Sequence, residues 1–304
     1  MEITSSKFKH IGINSETNQT IVRPSITYWQ DAWRRLRSNK AAIFSLILIA
    51  IFTLFAFVGP TMTEYDYKTN DYLSINQFPS SEHWFGTDEL GRDLWERVWE
   101  GAKVSLFIGL MAALVQTTLG IIFGGIAGLF GGKVDMIIMR IVDILIAIPY
   151  MIVVIMIMVI MGSGIVPIII ALTITGWVDM ARLVRGQILQ LKNQEFILAA
   201  RTLGASSGRL LFKHLLPNSL GVIIINLTMS IPRAIFSEAF LSFIGIGIKP
   251  PMTSWGQLAN IGARAMRIAP YQLLIPGIFI SLTMLALNIL GDGLRDCLDP
   301  RLRK

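Results

Sequence analysis

The sequence is poor in the residues that most often bind metals or form disulfides. Among its 304 residues are one cysteine and three histidines. A lone cysteine, Cys297, excludes an internal disulfide, and His10, His83 and His214 lie too far apart for a metal-ligand motif. Charged residues are also scarce, at 15% against about 25% in soluble domains. We therefore expect neither a metal site nor a soluble globular fold.

The charge that is present is basic, but it is not gathered into one patch. The formal net charge is +7, and the Lys and Arg residues flank long apolar runs. Nucleic-acid-binding proteins show a concentrated basic face, so we exclude nucleic acid as a partner. Basic flanks are typical of membrane helices at their cytoplasmic ends. The first apolar run starts near residue 41 and is too long for the core of a cleaved signal peptide.

Six apolar stretches are long enough to cross a bilayer, which needs about 20 helical residues. They are 41–59, 104–130, 136–161, 165 to about 177, 218–240 and 271–291. The predicted fold class is therefore an all-α polytopic membrane protein with six transmembrane helices. Residues 104–291 form its five-helix core, and the fourth helix continues beyond Trp177 out of the membrane. Residues 1–40 form an N-terminal segment, of which 1–26 is polar and irregular, and 292–304 form a tail.

The distribution of Lys and Arg predicts the orientation. Residues 27–40 and 190–217 each carry four basic residues and one acidic residue, whereas 60–103 carries four basic and nine acidic residues. A basic excess marks the cytoplasmic side. Both termini and the 190–217 loop are thus predicted to be cytoplasmic, and 60–103 external. The loop 241–270 disagrees, because its three basic residues have no acidic counterpart.

The polar loop 190–217 has the pattern of a helix, a sharp corner and a second helix. Gly204 suits the left-handed conformation that ends a helix. Ser206 and Ser207 can cap a new short helix through about Phe212, and Pro217 is predicted to end it and open the fifth span. The residues themselves fit both an ordinary capped loop and a docking element for another protein.

The corner also has a family likeness. The run AARTLGASSGRLLFKHLLP resembles the EAA signature of permease subunits in ABC importers. The positions that match are Ala199, Ala200, Gly204, Leu216 and Pro217. Leu198 and His214 stand where the signature has Glu and Ile. The stretches HWFGTDELGRDLWERVWEGAKVSL and EAFLSFIGIGIKPPMTSWG resemble segments of the C-type permeases for dipeptides, oligopeptides and nickel.

This resemblance implies the ABC type I importer permease fold and a division of labour among subunits. Such a permease and a homologous second permease line one path for peptides through the lipid of a bacterial cell membrane. Two cytosolic ATPases bind ATP with Mg and act on the corners, and an external binding protein delivers the substrate. The chain itself would be no enzyme and bind no cofactor. The implied coupling residues are Ala199, Ala200, Gly204, Ala205, Ser206, Arg209, Lys213, Leu216 and Pro217.

The motifs agree that this chain carries no chemistry of its own. It has no G-x-x-x-x-G-K-[ST] phosphate loop, and GLFGGKV at 128–134 fits a glycine-rich turn. The alternatives are an importer of nickel or another small solute, and a secondary transporter driven by an ion gradient. A secondary transporter needs acidic residues near the bilayer midplane, and an intramembrane hydrolase needs a nucleophile and base at one depth. The spans hold few acidic residues and no histidine.

Charged residues within spans are candidates for function, because placing them in a bilayer is costly. Arg233 and Glu238 lie in the outer part of the fifth span. We expect one of them to face the substrate path and contact a peptide terminus. For Asp143 and Asp179, which lie near span ends, ion pairing or orientation is the favoured interpretation.

The external loop 60–103 carries three tryptophans, Trp84, Trp95 and Trp99. Its second part, 88–103, mixes acidic and aromatic residues and is predicted to be a helix at the outer interface, where Trp is favoured. This helix either contacts the binding protein or positions the second span.

Overall fold

The computed structural model describes residues 27–298, which form helices and turns with no strand beyond one isolated bridge. The helices are α1 (Tyr28–Ser38), α2 (Lys40–Val58), α3 (Leu94–Phe130), α4 (Gly132–Ala147), α5 (Tyr150–Met161), α6 (Ile165–Gly176), α7 (Val178–Leu191), α8 (Glu195–Thr202), α9 (Ser207–Arg209), α10 (Leu216–Phe243), α11 (Trp255–Ala265) and α12 (Tyr271–Leu298). The all-α prediction is confirmed for these residues. The predicted N-terminal stretch 1–26 and the last six residues lie outside them.

Four helices are individually long and apolar enough to span a membrane: Lys40–Thr61, Leu94–Phe130, Ser207–Phe243 and Tyr271–Leu298. Two further spans are bent pairs, α4 with α5 and α6 with α7. The predicted number of six holds when each bent pair is counted as one span. Residues 292–298, predicted as tail, extend α12 instead.

The third span is not the single helix predicted for 136–161. α4 and α5 meet at 85° across Ile148 and Pro149. Proline lacks the amide hydrogen that a helix interior needs and forces the preceding residue out of the helical region. Ile148 accordingly has φ −90° and ψ 128°. The bend between α6 and α7 is milder, at 41°, and agrees with the helix predicted to continue beyond Trp177.

α3 lies at the centre of the bundle and packs against α7 through small residues. A Cβ at Gly124 would lie 2.3 Å from the Ala181 carbonyl oxygen, and one at Gly120 would lie 2.5 Å from Met180. Gly128 likewise faces Ile188. Small residues at a spacing of four allow such close approach between helices. The contact fixes α7, whose far end leads into the 190–217 loop.

The two ends of the bundle differ in construction. The end that holds α1, α8 and the last turns of α12 we name the corner end. The opposite end, the cap end, holds residues 62–93 folded over the first turns of α3, α11 and α12. The first ten residues of α3 belong to the stretch predicted as an external interfacial helix. They are part of one continuous 37-residue helix, and Trp99 is buried against Phe52, Phe55 and Phe279.

Candidate functional site

The corner predicted at Gly204 is present and has a defined hydrogen-bond pattern. α8 ends at Thr202, and Gly204 takes φ +83°. The amide of Ala205 donates to the carbonyl of Ala200, and the amide of Gly204 donates to that of Arg201, both at 3.0 Å. These two bonds define a Schellman motif. The next helix begins after Ser206, whose hydroxyl oxygen accepts a hydrogen bond from the Arg209 amide at 3.4 Å.

α8 is held to the bundle by one buried side chain. Ile197 is fully buried and packs with residues of α7 and of the π-helical turn Leu210–Leu215. Lys192 Nζ donates to the Leu129 carbonyl at 2.8 Å and so ties the end of α7 to the end of α3. Ala200 and Ala205 belong to the same cluster. The corner therefore has a fixed position, although most of α8 faces away from the protein.

The helix that follows the corner is not a separate short helix ended by Pro217, as the sequence predicted. Residues Ser207–Phe243 run as one helix of 37 residues. The π-helical turn Leu210–Leu215 precedes Pro217, and the Leu216 amide bonds to the Leu211 carbonyl, five residues back. The π-helical turn ends before Pro217, which has no amide hydrogen to donate. Proline is tolerated in the first turn of an α-helix, and Pro217 lies in the first turn of α10.

The predicted coupling residues fall into two groups. The side chains of Ala200, Ala205 and Leu216 are half-buried and pack inward. The remaining six are exposed at the corner end, and they are Ala199, Gly204, Ser206, Arg209, Lys213 and Pro217.

The structure adds four large apolar side chains that the sequence analysis did not assign to this site. Leu203 is 89% exposed and Phe212 is 71% exposed, and Phe196 and Leu198 on α8 are also exposed. Contiguous exposed apolar residues with a polar rim mark interaction sites. A helical-wheel comparison with the buried Ile197 could have found Phe196 and Leu198, because neither lies on the face of α8 that Ile197 defines.

A second candidate site lies inside the bundle. A cavity of about 360 Å³ occupies the place where both bent spans break, and Pro149 and Gly176 line it. A second cavity, of about 340 Å³, also has Tyr150, Arg233 and Ser237 among its lining residues. Irregular backbone at membrane depth is tolerated where it is buried or lines a polar cavity. The break between α4 and α5 and the break between α6 and α7 therefore both lie beside the cavity.

The two residues predicted for the substrate path have different surroundings. Arg233 lines both cavities. Glu238 is fully buried, and its carboxylate oxygens accept hydrogen bonds from the Ser105 and Ser242 hydroxyls at 2.8 Å each. Glu238 therefore links α10 to α3 and does not face a path in this structure. The predicted path role remains a prediction for Arg233.

The acidic residues near the span ends also differ. Asp143 forms the expected ion pair, with Arg182 at 2.6 Å. Asp135, which the sequence analysis did not single out, holds Arg185 through two hydrogen bonds. Asp179 has no such pair among the described residues and lines the cavity. Within residues 27–298, no three His, Cys, Asp or Glu side chains group closely enough to hold a metal ion.

Membrane spans that break beside a cavity, as both bent pairs do here, are typical of transport proteins. Sequence profiles make the class specific. The profile described as "Binding-protein-dependent transport system inner membrane component" matches residues 120–304. That described as "N-terminal TM domain of oligopeptide transport permease C" matches residues 27–79. The chain belongs to the family of binding-protein-dependent transport inner membrane components.

Bacterial relatives cover almost the whole chain. The oligopeptide transport system permease protein OppC of Bacillus subtilis (strain 168) is 49% identical over 302 residues, which are 99% of each chain. The dipeptide transport system permease protein DppC of the same organism is 50% identical over 296 residues, 96% of this chain and 92% of that one. OppC of Escherichia coli (strain K12) is 42% identical over 275 residues, 90% and 91% of the two chains.

Solved structures agree on the fold. An inward-facing structure of the MetNI methionine ABC transporter matches with a TM-score of 0.52 and 20% identity, over 68% of this chain and 96% of that one. A second crystal form gives a TM-score of 0.51 over 66% and 97%. The importer permease fold predicted from the sequence is therefore confirmed.

Proposed function

We propose that this chain is the permease subunit of an ATP-driven importer of peptides. It would form half of the translocation path, and a homologous second permease would form the other half. Two cytosolic ATPases, which bind ATP with Mg, would dock at the corner end, and an external binding protein would deliver peptide at the cap end. Both termini would then be cytoplasmic. The similarity to permeases named for oligopeptides and dipeptides supports a peptide cargo.

The observation that carries the proposal is the apolar surface at the corner. Leu203, Phe212 and Leu198 are exposed beyond the end of the membrane-spanning part of α7, next to Arg201 and Lys213. Lipid would cover such side chains within the bilayer, but this loop is polar on both sides of them. A protein partner is the surface that removes them from water.

The composition of the assembly tests this proposal directly. The chain is purified in mild detergent from its native host, and the co-purifying subunits are identified by mass spectrometry. We expect a second six-span permease and two ATPase subunits. A chain that purifies alone and still transports in liposomes would contradict the proposal.

One observation favours a second candidate, a transporter driven by an ion gradient. Asp179 and Arg233 line a cavity within the bundle, and charged residues at such a depth can couple transport to ions. The two candidates respond oppositely to energy sources. Uptake by the ATP-driven importer stops on ATP depletion, whereas uptake by the ion-driven transporter stops when an ionophore collapses the gradient. Uptake of labelled nickel without uptake of labelled peptide would identify nickel as the cargo.

A further inference from the structure

The main cavity holds two charged side chains of opposite sign, Asp179 on α7 and Arg233 on α10. Within the described part of the chain, neither side chain has an ion pair or hydrogen bond. This differs from the neighbouring acidic residues of the α4–α7 contact, since Asp143 pairs with Arg182 and Asp135 with Arg185. Both side chains are exposed in the single chain, and both lie in helices that belong to membrane-spanning segments. Charged residues in such segments are costly and mark functional sites.

We propose that this cavity is a binding site for a zwitterionic peptide during its passage. Asp179 binds the terminal ammonium group, and Arg233 binds the terminal carboxylate. The cavity volume of about 360 Å³ lies within the range of about 300–1,000 Å³ for small-molecule sites. The proposal rests on the proposed function, because it assumes that peptides enter the path.

Opposite charges at the two ends explain how a path can be selective without recognising side chains. Every unmodified linear peptide has one free ammonium and one free carboxylate, whatever its sequence. A guanidinium can hold a carboxylate through two parallel hydrogen bonds, and a carboxylate accepts directly from an ammonium. The site should therefore be sensitive to blocked termini and tolerant of side-chain identity.

Protection of an introduced thiol tests the site without depending on transport. Ser230 lines the cavity, and Cys297 is the only cysteine of the chain. The Ser230→Cys variant is made in a Cys297→Ser background, and the intact importer complex is placed in nanodiscs without binding protein. Maleimide labelling of this chain is then followed by mass, with and without trialanine. Ser281→Cys on α12, whose residue does not line the cavity, is the matched control.

We expect trialanine to slow labelling of the Ser230→Cys thiol and to leave the Ser281→Cys thiol unaffected. N-acetylated or C-amidated trialanine should need a concentration about tenfold higher, since each loses one charge-assisted hydrogen bond. In the Asp179→Asn variant, N-acetylation should no longer raise the peptide concentration needed for protection, whereas C-amidation still should. In the Arg233→Gln variant, C-amidation should have no effect, whereas N-acetylation still should. A change that merely disturbed packing would not produce this crossed pattern.

Three results would overturn the site. They are a Ser230→Cys thiol that is unreactive in every nucleotide state, a reactive thiol that trialanine does not protect, and equal protection by the free peptide and both blocked peptides. Each result leaves the proposed function intact if the same complex, supplied with its binding protein, still imports peptide on addition of ATP. Loss of that ATP-dependent import in the unmodified complex would instead count against the proposed function.

Discussion

The cap end and the corner end treat their charged side chains in opposite ways. At the cap end, charged side chains are buried and paired with one another, as Asp88, Arg92 and Arg97 show. At the corner end, basic side chains such as that of Arg201 are exposed, and both ends expose large apolar side chains. The cap charges are thus paired within one chain, whereas the exposed corner is where we propose that an ATPase partner binds.

Arg97 shows how the cap is held. Its guanidinium lies 3.4 Å from Asp88 Oδ2 and donates to the Tyr67 carbonyl at 3.2 Å and to Gln257 Oε1 at 3.3 Å. It therefore joins residues 62–93 to α3 and α11. On α12, the Tyr271 hydroxyl lies 2.8 Å from the Thr87 carbonyl oxygen. Hydrogen bonds between buried polar groups specify one arrangement of these segments, although Arg97 Nε itself has no hydrogen-bond partner within residues 27–298.

The largest effect is expected from Arg97→Ala. The change leaves the buried carboxylate of Asp88 with one cation instead of two and removes the link to Gln257. Breaking a buried ion pair by removing one partner costs about 3–5 kcal/mol. We expect little correctly folded protein in the membrane, measured as the amount recovered as a single species in mild detergent and as its thermal midpoint.

The matched control is Arg201→Ala at the corner, because Arg201 is an exposed arginine on α8. Its recovery and thermal midpoint should equal those of the unmodified protein. If the two arginine variants were equally stable, the contrast between the ends would be wrong, and the cap charges would contribute as little as surface charges do.

The corner could be read from the sequence because it depends on local interactions. Gly204 in the left-handed region and Ser206 as a helix cap each act within five residues, so residue type at a given spacing predicts them. The membrane spans were also predictable from their apolar length. The same local rules failed at Pro217, because the π-helical turn before it depends on how Leu210, Leu211 and Leu215 pack into the bundle.

The cap and the cavity could not be predicted, because their contacts join distant parts of the chain. Arg97 meets Gln257, 160 residues away, and Tyr271 meets Thr87, 184 residues away. Long-range contacts also decide the surroundings of two acidic residues. Glu238, one of two residues predicted for the path, accepts hydrogen bonds from serine hydroxyls, whereas Asp179, for which pairing or orientation was favoured, lines the cavity without an ion pair to any residue of 27–298.

A smaller effect is expected from Gly204→Ala, for which Gly208→Ala is the control. At both glycines an added Cβ would meet nothing within 4 Å, but only Gly204 has a positive φ, at +83°. The left-handed conformation costs a residue with a Cβ about 1–2 kcal/mol, so α8 should lose its fixed position. At Gly208, which lies within a helix, the change to alanine should be neutral or slightly stabilising.

The measurement for this pair is peptide-stimulated ATPase activity of the assembled complex, alongside the amount inserted. Gly204→Ala should insert normally and show reduced stimulation, and Gly204→Arg should lose stimulation because its side chain also blocks close approach. Gly208→Ala should match the unmodified protein in both. Equal stimulation in all these variants would show that the conformation of the corner does not matter for coupling.

The smallest effect on stability, and the sharpest test of the contrast, is expected from Leu203→Ser. Leu203 is 89% exposed, so truncating it removes almost no contact within the chain, and its stability should change by less than about 0.5 kcal/mol. If the corner is completed by an ATPase, the same change should weaken co-purification of that subunit. Ile197→Ser, six residues earlier and fully buried, should instead destabilise the chain itself. A Leu203→Ser variant that retained its ATPase subunits at unchanged affinity would mean that the exposed apolar surface of the corner is not where the partner binds.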